Sequence, residues 1–284
     1  MKTKFESLFL IASLLLGTET VFGQDPIDRT LKPDHTIKST LTGKTHDLYI
    51  SFPRNYSAED TIHYPVLYYL DGKSSFYSFH GARSLLDMGQ EIEDIIIVGI
   101  GSMDRWSDYT PSVDSVTDSI FSARFSIPPG ELVSGGGPEF LTTLREEIIP
   151  FVAKQYKVTN DRGIAGNSLG ALFVGYCLFV APDLFSRFGI NSPAFWWNTE
   201  EMLGREKKFS ETHQSLKAKV FVSVGSLEDE QMVPVITSFC YYLKSRNYEG
   251  LDFSWTVFDN ETHLSSIPAS VSRTLTSIYG VKNQ

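Results

Sequence analysis

Apolar residues in this chain gather into short unbroken runs separated by longer mixed segments. Residues 66–70 and 95–100 are continuously apolar, the pattern of a central parallel strand covered on both faces. Residues 162–165, 188–191, 220–224 and 253–258 also read as strands, whereas 47–52 alternates and suits an edge hairpin strand. Helices are expected over 138–157, 171–180, 232–245 and 268–279. Strands alternating with helices predict an α/β protein with a doubly wound, mostly parallel sheet. No internal repeat or low-complexity linker breaks the pattern, so a single domain is expected.

Residues 101–137 depart from the alternation. They are rich in Ser, Asp, Gly and Pro and follow a central strand. Segments beyond the carboxyl ends of such strands shape ligand crevices, and a long loop in a compact domain tends to be functional. This stretch is therefore expected to form the substrate rim.

The amino terminus reads as a targeting segment. Lys2 and Lys4 precede an apolar run at residues 8–17, and Val21-Phe22-Gly23 offers small residues where a signal peptidase reads. The run is too short to span a bilayer. Residues 1–23 are thus expected to be a cleaved signal peptide, leaving 24–284 as the mature domain, periplasmic or secreted and without a membrane anchor. Lys2, Lys4, Glu6 and Glu19 cancel, so the mature chain keeps the net charge of −9. That balance argues against nucleic acid or anionic membrane as a partner. Cys177 and Cys240 lie in apolar, helix-like stretches and read as two buried thiols. No Cys or His cluster has metal-ligand spacing, so neither metal nor cofactor is expected.

Candidate chemistry centres on Gly166-Asn167-Ser168-Leu169-Gly170. The spacing G-x-S-x-G describes a sharp strand-to-helix turn that presents a nucleophilic serine between small neighbours. The five letters alone are weak, but a strand-like run precedes them and a helix-like run rich in small residues follows. An ordinary turn serine is the alternative. A serine hydroxyl needs a base, and the base needs an orienting third group. Of the six histidines only His213 and His263 follow Ser168, and only His263 also follows a strand bearing an acidic loop, five residues past Phe258. For the acid, Ser226-Leu227-Glu228-Asp229-Glu230 follows the strand ending near Val224. Glu228 is favoured and Asp229 stands second. A tetrahedral oxyanion needs two amide donors. Leu169 N–H is the first, and Lys73 N–H, in the turn Asp71-Gly72-Lys73, is the second. The same dipeptide Asp71-Gly72 is equally at home in a plain turn.

These motifs resemble the putative-esterase family of α/β hydrolases, which includes siderophore esterases, feruloyl and acetyl-xylan esterases and esterase D. The resemblance runs from about Asp47 to Pro268. Its marks are Leu70-Asp71-Gly72, Val98-Gly99-Ile100, Asp104-Arg105, Asp108-Tyr109-Thr110-Pro111 and Gly135-Gly136-Gly137. Further marks are residues 163–170, Ser192-Pro193-Ala194-Phe195-Trp196-Trp197, residues 224–228 and Glu261-Thr262-His263. It implies an α/β-hydrolase fold, a triad of Ser168, Glu228 and His263, and an oxyanion hole from the Leu169 and Lys73 amides. Asn167 stands where the family often has His, and Ala171 where a third glycine is usual.

Within the family the chain is most similar to siderophore-type esterases. Arg105 and Trp106 on the rim, with Trp196 and Trp197 after a later strand, are candidate contacts for an aromatic, anionic acyl group. The alternatives are that Arg105 pairs with Asp108 and that the tryptophans pack the core. The leading expectation is a secreted or periplasmic serine carboxylic ester hydrolase acting on a small-molecule or carbohydrate-linked ester. An acyltransferase of the same fold, or a non-catalytic binding module, are the other readings.

Overall fold

Ile96, Ile97, Val98 and Ile100 are fully buried, as their unbroken apolar run requires of a strand covered on both faces. They belong to an eight-stranded sheet in a computed structural model that describes residues 31–59 and 61–281. The expected signal peptide, residues 1–23, lies outside the described residues. The strands are β1 (His35–Lys38), β2 (Thr45–Ser51), β3 (Tyr64–Leu70), β4 (Ile96–Ile100), β5 (Val158–Asn167), β6 (Arg187–Asn191), β7 (Ser215–Gly225) and β8 (Glu249–Phe258). Their spatial order is β1-β2-β4-β3-β5-β6-β7-β8. The β1–β2 and β2–β4 pairs are antiparallel, and every other pair is parallel. This is the single-domain, doubly wound, mostly parallel sheet of an α/β hydrolase. One detail differs from expectation: β2 is not an edge strand, because the short, half-exposed β1 covers it.

The chain reverses its direction of travel across the sheet at β3. Helix α1 (Gly72–Met88) leads from β3 to β4, and the chain then returns to place β5 on the other side of β3. The crevice beyond the carboxyl ends of β3 and β5 is the switch point where such sheets hold their ligands. Asp71 stands on one lip and Ser168 on the other.

The rim between β4 and β5 is not an open loop. It holds α2 (Arg105–Asp108) and α3 (Ser115–Phe125), capped by Asp104 on Ser107 N at 3.3 Å and by Asp114 on Thr117 N at 3.0 Å. After it, the expected helix over 138–157 is α4 (Gly137–Thr143), a π-helical turn (Leu144–Ile148) and α5 (Ile149–Gln155). Pro150 explains the interruption, since it has no N–H for the helical ladder and its ring would crowd the carbonyl four residues back. The remaining helices are α6 (Leu169–Val180), α7 (Trp197–Thr212), α8 (Met232–Ser245) and α9 (Ile267–Tyr279).

Two layers of helices close the sheet. Phe79 and Leu86 of α1 pack with Val271, Leu275 and Ile278 of α9 over one face. α6 fills the middle of the other face and is apolar all round, so its residues from Leu169 to Phe179 are buried. Cys177 and Cys240 are both buried free thiols in this layer, and burial raises the pKa of each.

Helices α1 and α7 escaped the sequence reading for one shared reason. Each turns an inward stripe to the core with a charged residue at its centre. In α1 the stripe is Phe79, Arg83 and Leu86, and in α7 it is Met202, Glu206 and Phe209. The charges are compensated in place. Arg83 bonds Ser51 Oγ at 3.0 Å and pairs with Asp87, while Glu206 holds Arg246 through two bonds of 2.9 Å.

Candidate active site

Ser168 follows directly on β5 and opens α6, with φ 59° and ψ −120°. That backbone is strained for a residue with a side chain, as the corner motif demands. Gly166 has to be glycine here, because a methyl group on it would lie 2.5 Å from the Gly170 carbonyl carbon. The corner is held from outside as well. Ser168 N–H donates to Asn191 O at 3.1 Å, and Ala194 N–H donates to Ser168 O at 3.1 Å.

The loops after β7 and β8 meet beside this corner. Ser226 N–H donates to Phe258 O at 2.8 Å, Leu227 N–H to Glu261 O at 2.9 Å, and Asn260 N–H to Ser226 Oγ at 2.8 Å. Gly225 permits the approach, since a methyl group there would sit 2.8 Å from the Glu261 carbonyl carbon. Stitched together, the loops put His263 Nδ1 at 2.8 Å from Glu228 Oε2. The Glu228 side chain is fully buried, and its other oxygen accepts from Ser192 Oγ at 2.6 Å and Gly225 N at 2.7 Å. Three donors thus fix the carboxylate, and its bond to Nδ1 leaves Nε2 as the free face of the imidazole. Asp229 turns away and accepts from Gln231 N at 2.9 Å. Of the two carboxylates weighed from sequence, only Glu228 reaches the histidine.

Ser168 Oγ and His263 Nε2 are both buried, and neither has a hydrogen-bond partner. Two unpaired polar atoms cost free energy in a folded protein unless they have work to do. Ser192, which orients Glu228, was visible in the sequence only as part of a family motif.

The rim residues fall out differently from expectation. Trp106 is 1% exposed and its indole N–H donates to Asp118 Oδ1 at 2.7 Å. Trp197 is 0% exposed and its N–H donates to Ser112 O at 3.3 Å. The two rings meet edge to face at 5.4 Å, so both belong to the core and not to a substrate surface. Their size and apolar character gained more from packing between rim and sheet than from solvent contact. Trp196 remains half-buried, stacked near Phe121 at 6.3 Å. Arg105 does not pair with Asp108, which binds Lys44 Nζ and Ser102 Oγ, each at 2.6 Å. It grips Asp71 instead, through Nε at 2.7 Å and Nη2 at 2.9 Å. Lys73 stands in the first turn of α1, one residue past Gly72.

A shallow cleft of about 400 Å³ lies at the opposite end of the sheet, lined by Asp161, Arg187, Lys217, Lys219 and Asp252. Its central Arg187 is committed to Asp161 and Glu93, far from Ser168. Among the described residues no group of three or more His, Cys, Asp or Glu could hold a metal ion. None of the described helices is long and apolar enough to cross a membrane.

A doubly wound sheet with a strained serine corner after β5 and a carboxylate–histidine pair after β7 and β8 defines the class of the α/β hydrolases. Within that class the chain belongs to the Putative esterase family, whose pattern matches residues 39–245. It is 28% identical over 259 residues to the ferri-bacillibactin esterase BesA of Bacillus subtilis (strain 168), covering 84% of this chain and 86% of that protein. The crystal structure of the BES protein from Bacillus cereus superposes with a TM-score of 0.75 at 30% identity, over 87% of this chain and 95% of the other. A siderophore hydrolase, EstA from Aspergillus nidulans, shares the fold with a TM-score of 0.72 at 20% identity, over 85% of this chain and 91% of its own. The protein is an esterase.

Proposed function

We propose that this chain is an exported serine carboxylic ester hydrolase that works through Ser168, His263 and Glu228. Ser168 Oγ attacks the ester carbonyl carbon while His263 Nε2 takes its proton. The alcohol leaves with that proton, and an acyl-serine remains. Water, deprotonated by the same nitrogen, then releases the acid and restores the serine. Glu228 holds the imidazolium in place and stabilises its charge. The amides of Leu169 and Lys73 receive the negative charge that develops on the carbonyl oxygen.

The observation that carries this reading is the 2.8 Å bond from His263 Nδ1 to the buried Glu228 side chain, which also accepts from Ser192 Oγ, next to the Asn191 carbonyl that bonds the Ser168 amide. The substrate is a small-molecule ester of the siderophore kind, with an aromatic acyl group. The names of relatives, a siderophore enterobactin esterase and a siderophore hydrolase among them, support the siderophore kind, and the aromatic acyl group is proposed from half-buried Trp196, which offers an aromatic face. Preference for an anionic substituent does not rest on Arg105, whose fork is taken by Asp71. Export rests on residues 1–23 and predicts a mature chain that begins near Gln24 by amino-terminal sequencing.

The test is a fluorophosphonate label followed by Ser168→Ala. The probe should attach to Ser168, and the substitution should lower kcat by about 10⁴-fold or more with the fold intact. Undiminished hydrolysis by Ser168→Ala removes the reading. Comparing kcat/KM for catecholate, feruloyl, acetyl and palmitoyl esters on one leaving group tests the acyl preference, and a palmitoyl preference would overturn it.

A further inference from the structure

Asp71 is an odd residue to find beside an oxyanion site. It precedes α1 in the left-handed region, at φ 58° and ψ 45°. An aspartate in that position ordinarily accepts from the second or third amide of its helix, here Lys73 or Ser74. Asp71 makes no such cap. Its carboxylate is turned to Arg105, at 2.7 Å and 2.9 Å, while its own N–H donates to Tyr109 Oη at 3.1 Å. The carboxylate also faces the start of α6, since a methyl group added at Gly170 would lie 3.5 Å from Asp71 Oδ2. Leu169, the residue before Gly170, carries the proposed oxyanion amide. An anion there occupies the same favourable field at the helix start that the reaction's oxyanion must use.

We propose that Arg105 is a positioning residue that keeps Asp71 from competing with the oxyanion. Its bidentate fork holds the carboxylate off the first-turn amides of α1 and neutralises its charge next to Leu169. The planar, permanently charged guanidinium suits this task better than an ammonium, because two parallel bonds fix the direction of the carboxylate. Tyr109 and Arg105 are neighbours on α2 and its cap, with the guanidinium 5.5 Å from the ring centre, so one rim element holds both the backbone and the side chain of Asp71. The rim then acts on catalysis through Asp71 without touching the substrate.

The inference rests on the serine-esterase reading above, and its test is designed to fail separately. Wild type must first hydrolyse an aryl ester and lose activity on Ser168→Ala, and failure there removes the reading itself. With that established, Arg105→Gln leaves a carboxylate unneutralised beside the hole. It should lower kcat by about 10- to 100-fold, somewhat less than deleting an oxyanion donor, and change KM by less than about threefold. Asp71→Asn/Arg105→Gln should then recover kcat by about fivefold or more over Arg105→Gln, because the offending charge is gone. Asn tolerates the left-handed backbone, so the double variant keeps the turn. No recovery in the double variant, or a loss that falls on KM, overturns the proposal. Asp71→Asn alone gives a second arm that does not need Arg105→Gln to fold. Its kcat should stay within about tenfold of wild type, and a loss comparable to deleting an oxyanion donor, about 10²-fold or more, overturns the proposal as well.

Discussion

Ser168, after β5, sits at φ 59° with a buried hydroxyl that has no hydrogen-bond partner, and His263 Nε2 is likewise buried without one. Trp106, on the rim after β4, sits in a short capped helix with its indole N–H bonded to the buried Asp118. The rim continues in that manner. Asp118 Oδ2 also accepts from Ser134 N at 3.1 Å and Ser134 Oγ at 2.9 Å. Gly136 N–H donates to Ser107 O at 3.0 Å, and Gly137 N–H to Thr110 O at 2.9 Å. The region that reads from sequence as a polar, open loop is assembled like a core, with Asp118, Ser134 and Thr110 bonded inside it. The corner that reads as regular strand and helix holds Ser168 at φ 59° with its hydroxyl unbonded. A rigid frame around a strained, polar centre is what preorganisation requires, because groups fixed beforehand need no rearrangement when charge develops.

If the contrast is sound, substitutions at the corner change rate and those at the rim change stability. The largest effect belongs to Glu228→Gln. It preserves size but removes the charge and lets the imidazole adopt the wrong tautomer, so kcat should fall about 10⁴-fold with little change in unfolding midpoint. Asp229→Asn, one residue on and turned away, should alter kcat by less than about twofold by steady-state kinetics. If the two effects were reversed, the acid would be reassigned.

Trp106→Ala is the rim counterpart. It empties a large volume between α2, α3 and Trp197 and leaves the buried Asp118 short of a donor, so it should cost about 3–5 kcal/mol in denaturant unfolding. Under conditions where the variant is folded, kcat should fall far less than in Glu228→Gln. A rate loss without a stability loss would return Trp106 to the substrate surface.

Gly225→Ala probes the seam between the two regions. The added methyl overlaps the Glu261 carbonyl region and must push the His263 loop away, at about 1–3 kcal/mol of stability. It should lower kcat as well, since Glu228 loses its bond from the Gly225 amide as the loops part. The smallest effect is expected from Trp196→Ala. Loss of one ring contact should reduce kcat/KM for an aryl acyl ester by about two- to tenfold relative to an acetyl ester. An equal loss on both esters would mean that Trp196 only packs against Phe121.

Much of this was already present in the order of residues. Apolar and alternating runs located seven of the eight strands and the doubly wound class: β4, buried on both faces, has no room for polar residues, and β8 at the sheet edge alternates with Ser254 and Thr256. Gly166, Ser168 and Gly170 specified the corner, since only small residues allow strand and helix to pass at that angle. The position of His263 after the last strand followed from chain order alone. What sequence could not decide were the choices among chemically similar partners. Glu228 and Asp229 are adjacent, and only the seam at Gly225 and Glu261 determines which one faces the imidazole. Arg105 had Asp108 three residues away, yet pairs with Asp71, thirty-four residues back, because α2 lies across the crevice from β3. Trp106 and Trp197 are ninety-one positions apart in sequence and touch only after the rim folds onto the segment following β6. Helices α1 and α7 stayed hidden because Arg83 and Glu206 break their apolar stripes, and a buried charge becomes affordable only when the tertiary fold supplies its partner.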